Sequence, residues 1–334
     1  MKKVGVVRSY QLNESDMMTY RDASDDMMQF DAIGTHEVKL GSLGSFVHEH
    51  SEAGYQSILD QDYDVLDVPD PMYPWACWLV ERHPKVVVTV WENLPWRMIG
   101  ENWRRALEKA TLIVVRSHMA QTAVMEMGLP KDKVQYVPAG VDMEMFKPEE
   151  RLGYSTVGFP RRIVENTPIV IFPGRMVWEK GVYDLFFASL HQQWITYFIG
   201  DGPAKEPLET LCKLKGDVNV LFLGSVPHSK MEQWYFVADV VVYPSLPTPQ
   251  WQEQFGISVI EAAASGCKIV LTHQSVFEEF ANIIPNVFLC APGDFVGLRE
   301  AINKALKAPY QPLGYFKYDS KLVGERIREL YGSL

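Results

Sequence analysis

Two glutamates, Glu253 and Glu261, stand with seven residues between them in the stretch EQFGISVIEAAASGCKIV, residues 253–270. Gly256 precedes an apolar, helix-forming run from Ile257 to Ala264, Gly266 follows it, and Lys268 to Leu271 reads as a buried strand. The expected order is loop, helix, glycine stop, strand. A helix entered through glycine leaves unpaired N–H groups with a partial positive charge at its first turn, so the amides of Gly256, Ile257 and Ser258 can hold a phosphate. Glu253 falls in the loop before that terminus. Glu261 falls about one turn into the helix, where a carboxylate can accept from the two hydroxyls of a ribose. A second group of charges lies upstream in PGRMVWEKG, residues 173–181. Arg175 and Lys180 sit on a loop that follows a strand and precedes a helix, and both can reach a diphosphate, Arg as a planar fork and Lys as a point charge. Either cation alone also reads as a solvated surface charge, and the two glutamates alone as incidental residues of an amphipathic helix.

These residues need a scaffold, and the chain supplies a regular one. Its 334 residues exceed what one core usually holds, so two domains are expected. In the first half Val4 to Val7, Asp64 to Val68, Val86 to Val90, Leu112 to Val115 and Lys133 to Val137 read as strands, with His36 to Leu40 also strand-like and GSLGS (41–45) flexible. Asn102 to Ala110 and Met119 to Met127 have helical spacing. Residues 148–167 break the rhythm and read as a linker with a surface loop. Strands at Ile169 to Phe172, Thr196 to Ile199, Val220 to Phe222, Val240 to Tyr243 and Val287 to Leu289 then alternate with helices at Tyr183 to Leu190, Glu206 to Leu214, Lys230 to Val237 and Phe295 to Lys307, and Tyr315 to Leu330 reads as a terminal helix. Such alternation implies parallel sheets covered on both faces, with ligands at the strand carboxyl ends.

Composition excludes several classes. At 47% hydrophobic and 22% charged the chain is ordinary for a globular protein, and a net charge of −10 argues against broad nucleic-acid binding. No run reaches the length of a membrane span, and MKKVGVVRSY lacks the long apolar segment of a signal peptide. Four cysteines, Cys77, Cys212, Cys267 and Cys290, show neither zinc-ligand nor disulfide spacing, so a cytoplasmic location is expected. Asp62 and Asp64 in DYD look like turn residues before a strand, so no metal site is expected.

The pair of glutamates with FG after the first, followed by EAAASG and an apolar strand, resembles the donor-site signature of the retaining GT-B glycosyltransferases of family 4, the group 1 glycosyl transferases. PGRMVWEKG, IGDGP (199–203), LGSVPHSKMEQWY (223–235), VVYPS (241–245) and the GVD…FKP segment ending at Pro148 resemble further landmarks of that family. The resemblance implies a GT-B fold: two Rossmann-like, doubly wound domains facing a central cleft. Residues 1–147 would form the acceptor-side domain, residues 148–314 the nucleotide-sugar domain, and helix 315–334 would cross back to the first. It implies a metal-independent transfer from a UDP- or GDP-sugar, which is a substrate and not a cofactor, to an unidentified carbohydrate, lipid-linked or protein acceptor, with peripheral membrane contact left open. Arg175 and Lys180 would hold the diphosphate, capped by the amides of Gly256, Ile257 and Ser258. Glu261 would take the ribose, Glu253 the donor sugar, and the segment from Ser225 to His228 the base. IGDGP is read as a structural turn needing its glycines.

The first half departs from the pattern. Where the family carries a histidine after the strand equivalent to VVVTV, this chain has Trp91-Glu92-Asn93, and its first strand runs into Arg8-Ser9-Tyr10 instead of a Gly-Gly loop. Glu92 reads either as a catalytic acceptor at that strand end or as a helix-start charge. His118 reads as a capping or surface histidine. Two rivals remain, a GT-B sugar-nucleotide epimerase and a non-catalytic nucleotide-sugar sensor. A NAD-linked oxidoreductase is disfavoured because no G-x-G-x-x-G follows a strand.

Overall fold

The computed structural model describes residues 1–8, 14–37, 43–69, 73–91, 100–147, 167–249, 251–314 and 316–334, residues 14–16 by backbone alone. They divide into two compact units, Met1–Asp142 with Lys317–Leu334, and Met143–Phe316.

The first unit is a seven-stranded sheet of β1 (Lys2–Val7), β2 (Met28–Gly34), β3 (Gly44–Val47), β4 (Val65–Pro69), β5 (Val86–Val90), β6 (Leu112–Val115) and β7 (Val134–Tyr136) in the order β3-β2-β1-β4-β5-β6-β7. Every pairing is parallel. Its helices are α1 (Glu14–Ala23), α2 (Glu52–Leu59), α3 (Pro74–Arg82), α4 (Glu101–Lys109) and α5 (His118–Met125). VVVTV is buried throughout because side chains alternate between two covered faces. Val86, Val88 and Val90 pack with Tyr55, Trp75, Leu79, Trp103 and Val124 from α2 to α5. Val87 packs on the other face with Met17 and Tyr20 of α1 and with Val323, Ile327 and Tyr331 of the terminal helix Ser320–Gly332.

The second unit is a six-stranded parallel sheet of β8 (Ile169–Pro173), β9 (Ile195–Ile199), β10 (Val220–Gly224), β11 (Val240–Tyr243), β12 (Lys268–Thr272) and β13 (Val287–Cys290), in the order β10-β9-β8-β11-β12-β13. Its helices are α6 (Val182–Ser189), α7 (Lys205–Lys215), α8 (Met231–Val237), α9 (Ile257–Ala264), α10 (Ser275–Ile283) and α11 (Phe295–Lys307), which makes Ser320–Gly332 α12. The strand order reverses between β8 and β11. At such a point the connections leave in opposite directions and open a crevice at the strand carboxyl ends.

Two differences from the sequence reading concern the first unit. β3 forms at Gly44–Val47, inside and after the stretch expected to be flexible, while residues 38–40 of the strand-like HEVKL lie outside the described residues. β3 is a half-exposed edge strand, so it carries no apolar run for a periodicity argument to find. β2, in a stretch rich in Asp and Met, was equally invisible: Asp31 and Gln29 interrupt it, and its pairing with β1 from Lys2↔Met28 to Val7↔Ile33 fixes it instead. The linker 148–166 lies outside the described residues.

Candidate functional site

The site is built on the two strands that flank the reversal. β8 is buried along its length and ends at Pro173, after which the chain turns through Gly174 and Arg175 into a short 3-10 turn, Trp178–Lys180, and then α6. The IGDGP turn after β9 props this loop with three backbone hydrogen bonds. Gly174 N donates to Ile199 O at 2.9 Å, Met176 N to Asp201 O at 2.8 Å, and Ala204 N to Met176 O at 2.9 Å. The fit requires glycine at 200: φ is +141°, and a Cβ there would lie 1.9 Å from Gly174 O. Held this way, Arg175 is exposed at the tip of the loop and makes no side-chain hydrogen bond or ion pair to a described residue.

From the other strand, the loop after β11 returns through Glu253 to Gly256, whose φ of +83° starts α9 in the left-handed conformation. The amides of Ile257 and Ser258 have no acceptor among the described residues, and the Tyr243 hydroxyl donates to Ser258 O at 2.6 Å, steadying the turn. Lys180 reaches across to Glu253, its Nζ 2.9 Å from Oε1 and 2.6 Å from Oε2, and lies 5.2 Å from the Trp251 ring centre. Glu253 is further fixed by the Ser245 hydroxyl at 3.2 Å and, through its amide, by Gln274 Oε1 at 3.1 Å. Arg175, Lys180, Glu253, Gly256 and Ser258 thereby line one pocket of about 190 Å³, floored by Phe172, Tyr243 and Phe277. Two cations, a carboxylate and a helix terminus around a small volume suit an anion that carries a hydroxylated group.

Glu261 is placed apart from that pocket wall. It is buried, and its carboxylate accepts from His228 Nε2 at 2.8 Å and from the Tyr235 hydroxyl at 3.1 Å. Burial, and then the neighbouring Tyr243 and Glu261, push the Tyr235 hydroxyl well above its ordinary pKa, so it stays a donor. Tyr243 stands beside Tyr235 and donates to Ser258 O, so the Glu261 cluster borders the start of α9. His228 lies in the short 3-10 turn before α8, and Ser225 is exposed on the loop just after β10. The ion pair of Lys180 with Glu253 and the bond of His228 to Glu261 are juxtapositions that spacing along the chain does not reveal.

In the first unit, Glu92 and Asn93 lie outside the described residues. Trp91 at the end of β5 has the Arg116 guanidinium 5.2 Å from its ring centre. Sequence reasoning missed a buried cluster here. Asp67 in β4 accepts from Thr89 Oγ1 at 2.8 Å, from Tyr20 at 2.6 Å and from Tyr331 of α12 at 2.5 Å, and Arg8 stands 3.6 Å away. Arg116 donates to Tyr20 and to the carbonyls of Val137 and Pro138. An Asp inside an apolar strand and an Arg at each of two strand ends were the only signals available. His118 begins α5, stacked on Tyr136 at 4.0 Å, and Asp64 accepts from the Lys3 amide at 2.7 Å. Among the described residues no three His, Cys, Asp or Glu side chains gather as metal ligands, and no helix is long and apolar enough to cross a membrane.

The family described as Glycosyl transferases group 1 matches residues 158–321, and Glycosyltransferase Family 4 matches residues 36–145. The chain belongs to these group 1, family 4-type glycosyltransferases. Among relatives of that type, the sulfoquinovosyl transferase of Arabidopsis thaliana is 34% identical over 210 residues, 57% of this chain and 38% of that protein. The D-inositol 3-phosphate glycosyltransferase of Mycolicibacterium smegmatis is 28% identical over 185 residues, 53% of this chain and 40% of that protein. The chain spans less than half the length of the curated relatives it matches. Anabaena HepE, solved in complex with UDP and glucose, superposes with a TM-score of 0.76 over 100% of both chains at 18% identity. That likeness, with the two parallel sheets, gives the family's GT-B fold.

Proposed function

We propose that this chain is a glycosyltransferase that moves a sugar from a UDP- or GDP-sugar to an acceptor hydroxyl, with retention at the anomeric carbon and without a metal ion. The observation that carries this reading is the convergence of Arg175, Lys180, Glu253 and the first turn of α9 on one small pocket at the β8/β11 reversal. HepE, of the same fold, was solved with UDP, which supports a nucleotide donor. Arg175, Lys180 and the amides of Gly256, Ile257 and Ser258 hold the diphosphate. Glu253, oriented by Lys180 and Ser245, receives hydroxyls of the donor sugar. Glu261 takes the ribose, and the turn from Ser225 to His228 lies on the base side.

In the step itself the acceptor oxygen forms a bond to the anomeric carbon on the face from which the bond to the β-phosphate oxygen breaks. The acceptor's proton passes to that phosphate oxygen. Negative charge grows on the diphosphate as the bond opens, and preorganised cations and N–H donors stabilise it most at the transition state. This division of labour needs no metal. Glu92 remains the proposed acceptor-side carboxylate.

The test is a melting screen against UDP, GDP and their sugars, because a ligand that binds only the folded chain raises apparent stability. It is followed by turnover of the stabilising donor with and without EDTA, the product anomer being read by NMR. The expected result is stabilisation by one nucleotide series and EDTA-resistant transfer with retention. Absence of any nucleotide effect would sink the reading, and binding without transfer or hydrolysis would favour a sensor.

A further inference from the structure

Glu261 is 4% exposed, so neighbouring side chains and not water decide which way its carboxylate faces. Tyr235 and His228 hold one oxygen each, and they differ in access. Tyr235 is 1% exposed and covered by Phe146 at 5.8 Å. His228 also meets Phe146, edge-on at 5.9 Å, yet keeps 26% of its side-chain surface open. The flank of Glu261 on which His228 stands is therefore the one a ligand can approach. A carboxylate accepts only, so the imidazole carries its hydrogen on Nε2 in this contact. With about four lone-pair directions and two in use, the carboxylate keeps room for a pair of hydroxyls.

We propose that His228 is a ribose-positioning residue. Its Nε2–H···Oε1 bond turns Glu261 so that the remaining lone pairs meet the 2′ and 3′ hydroxyls of the nucleotide, and this makes the site select ribonucleotides over deoxyribonucleotides. The inference rests on the reading of the second unit as a nucleotide-sugar site, and it moves His228 from the base to the ribose. No bond is made or broken, so the effect falls on nucleotide affinity and on donor KM while kcat is spared. Neither Arg175 nor Lys180 touches His228, which keeps the ribose and diphosphate contributions separable.

Calorimetric titration of UDP and 2′-deoxy-UDP, and of GDP and 2′-deoxy-GDP, into the wild type, Glu261→Gln, His228→Gln and His228→Asn tests this. Gln keeps an N–H donor within reach of Glu261, whereas Asn is too short. The wild type is expected to prefer the ribonucleotide by about tenfold or more, the scale of one hydrogen bond to a charged group. Glu261→Gln and His228→Asn should bring the ratio close to one, and His228→Gln should retain most of it. In turnover, His228→Asn should raise donor KM and leave kcat within about twofold, the signature of lost uniform binding. Melting curves confirm that all variants fold. A wild-type ratio in His228→Asn, with the ratio lost in Glu261→Gln, overturns the inference and leaves the nucleotide site standing. Failure of the wild type to bind any of the four nucleotides overturns both.

Discussion

Lys180 and Glu253, 73 positions apart in the chain, form a two-point ion pair, with Nζ at 2.9 and 2.6 Å from the two carboxylate oxygens. One residue comes from the loop after β8 and the other from the loop after β11, so the pair ties together the two sides of the strand reversal. The side chains keep 23% and 14% of their surface, enough for a ligand to reach both. The cation proposed for the diphosphate and the carboxylate proposed for the sugar are thus a single preorganised unit. Lys180→Ala and Glu253→Gln are each expected to lower turnover by roughly 10²-fold or more. Because each orients the other, the double variant should be little worse than either single one. Full multiplicative losses in the double variant would show that the two act independently.

Arg175 differs, being exposed at a loop tip with no partner among the described residues. Its removal costs the fold nothing that can be identified. Arg175→Ala should therefore cut turnover by roughly 10²-fold while the melting temperature and circular dichroism stay at wild-type values. Near-normal turnover would remove it from the diphosphate site.

The loop that carries Arg175 depends on a turn in which it takes no part. Gly200→Ala places a Cβ against Gly174 O, at a φ of +141° that L-residues avoid. The expected loss is at least about 1–3 kcal/mol of stability, with turnover falling too because the Gly174–Met176 backbone must move. Urea unfolding with donor titration would show both effects; a fall in stability with unchanged donor affinity would mean that the loop tolerates the shift.

The same turn has a pH signature. The Asp201 carboxyl is held below its ordinary pKa, first by the Gly202 amide and then by Lys205. A depressed folded pKa means that the carboxylate supports the folded state above the ordinary aspartate pKa and loses that support as pH falls through the lowered value. The melting-temperature gap between wild type and Asp201→Asn should therefore be largest near neutrality and close in acid. A gap independent of pH would show that the ionised carboxylate contributes nothing to the turn.

The second unit was more legible than the first, for a physical reason. Strands such as Ile169–Pro173 are buried on both faces and announce themselves as apolar runs, and a phosphate loop must place glycines and cations at fixed offsets from a strand end. Arg175, Lys180, Glu253, Gly256 and Ser258 could therefore be picked from their spacing together with the family resemblance, and they share a pocket. What spacing cannot show is pairing across the sheet. His228 and Glu261 are 33 positions apart, and their contact exists only because β10 and β11 lie on either side of β8 and β9 in the folded sheet. The edge strand β3 and the polar β2 stayed hidden because their pairing partners, and not their own residues, make them strands.

The cluster around Asp67 has a structural task that can be separated from catalysis. Asp67 is fully buried between Thr89, Tyr20, Tyr331 and Arg8, so its charge is compensated wholly by protein groups. Tyr331 belongs to α12 and Tyr20 to α1, which means that one carboxylate fastens both helices to the middle of the first sheet. Asp67→Ala removes the carboxylate that faces the buried guanidinium of Arg8 and accepts from three hydroxyls, and a loss of about 3–5 kcal/mol is expected, as for breaking a buried ion pair from one side. Tyr331→Phe removes one bond to a charged acceptor, and about 1.5–3 kcal/mol is expected. The double variant should cost less than the sum, since the Tyr331 hydroxyl has no acceptor once Asp67 is gone. Nucleotide affinity, proposed above to rest on residues of the other unit, should be unchanged in every variant that remains folded. Strict additivity of the two losses in urea unfolding would mean that the Tyr331 hydroxyl contributes independently of Asp67.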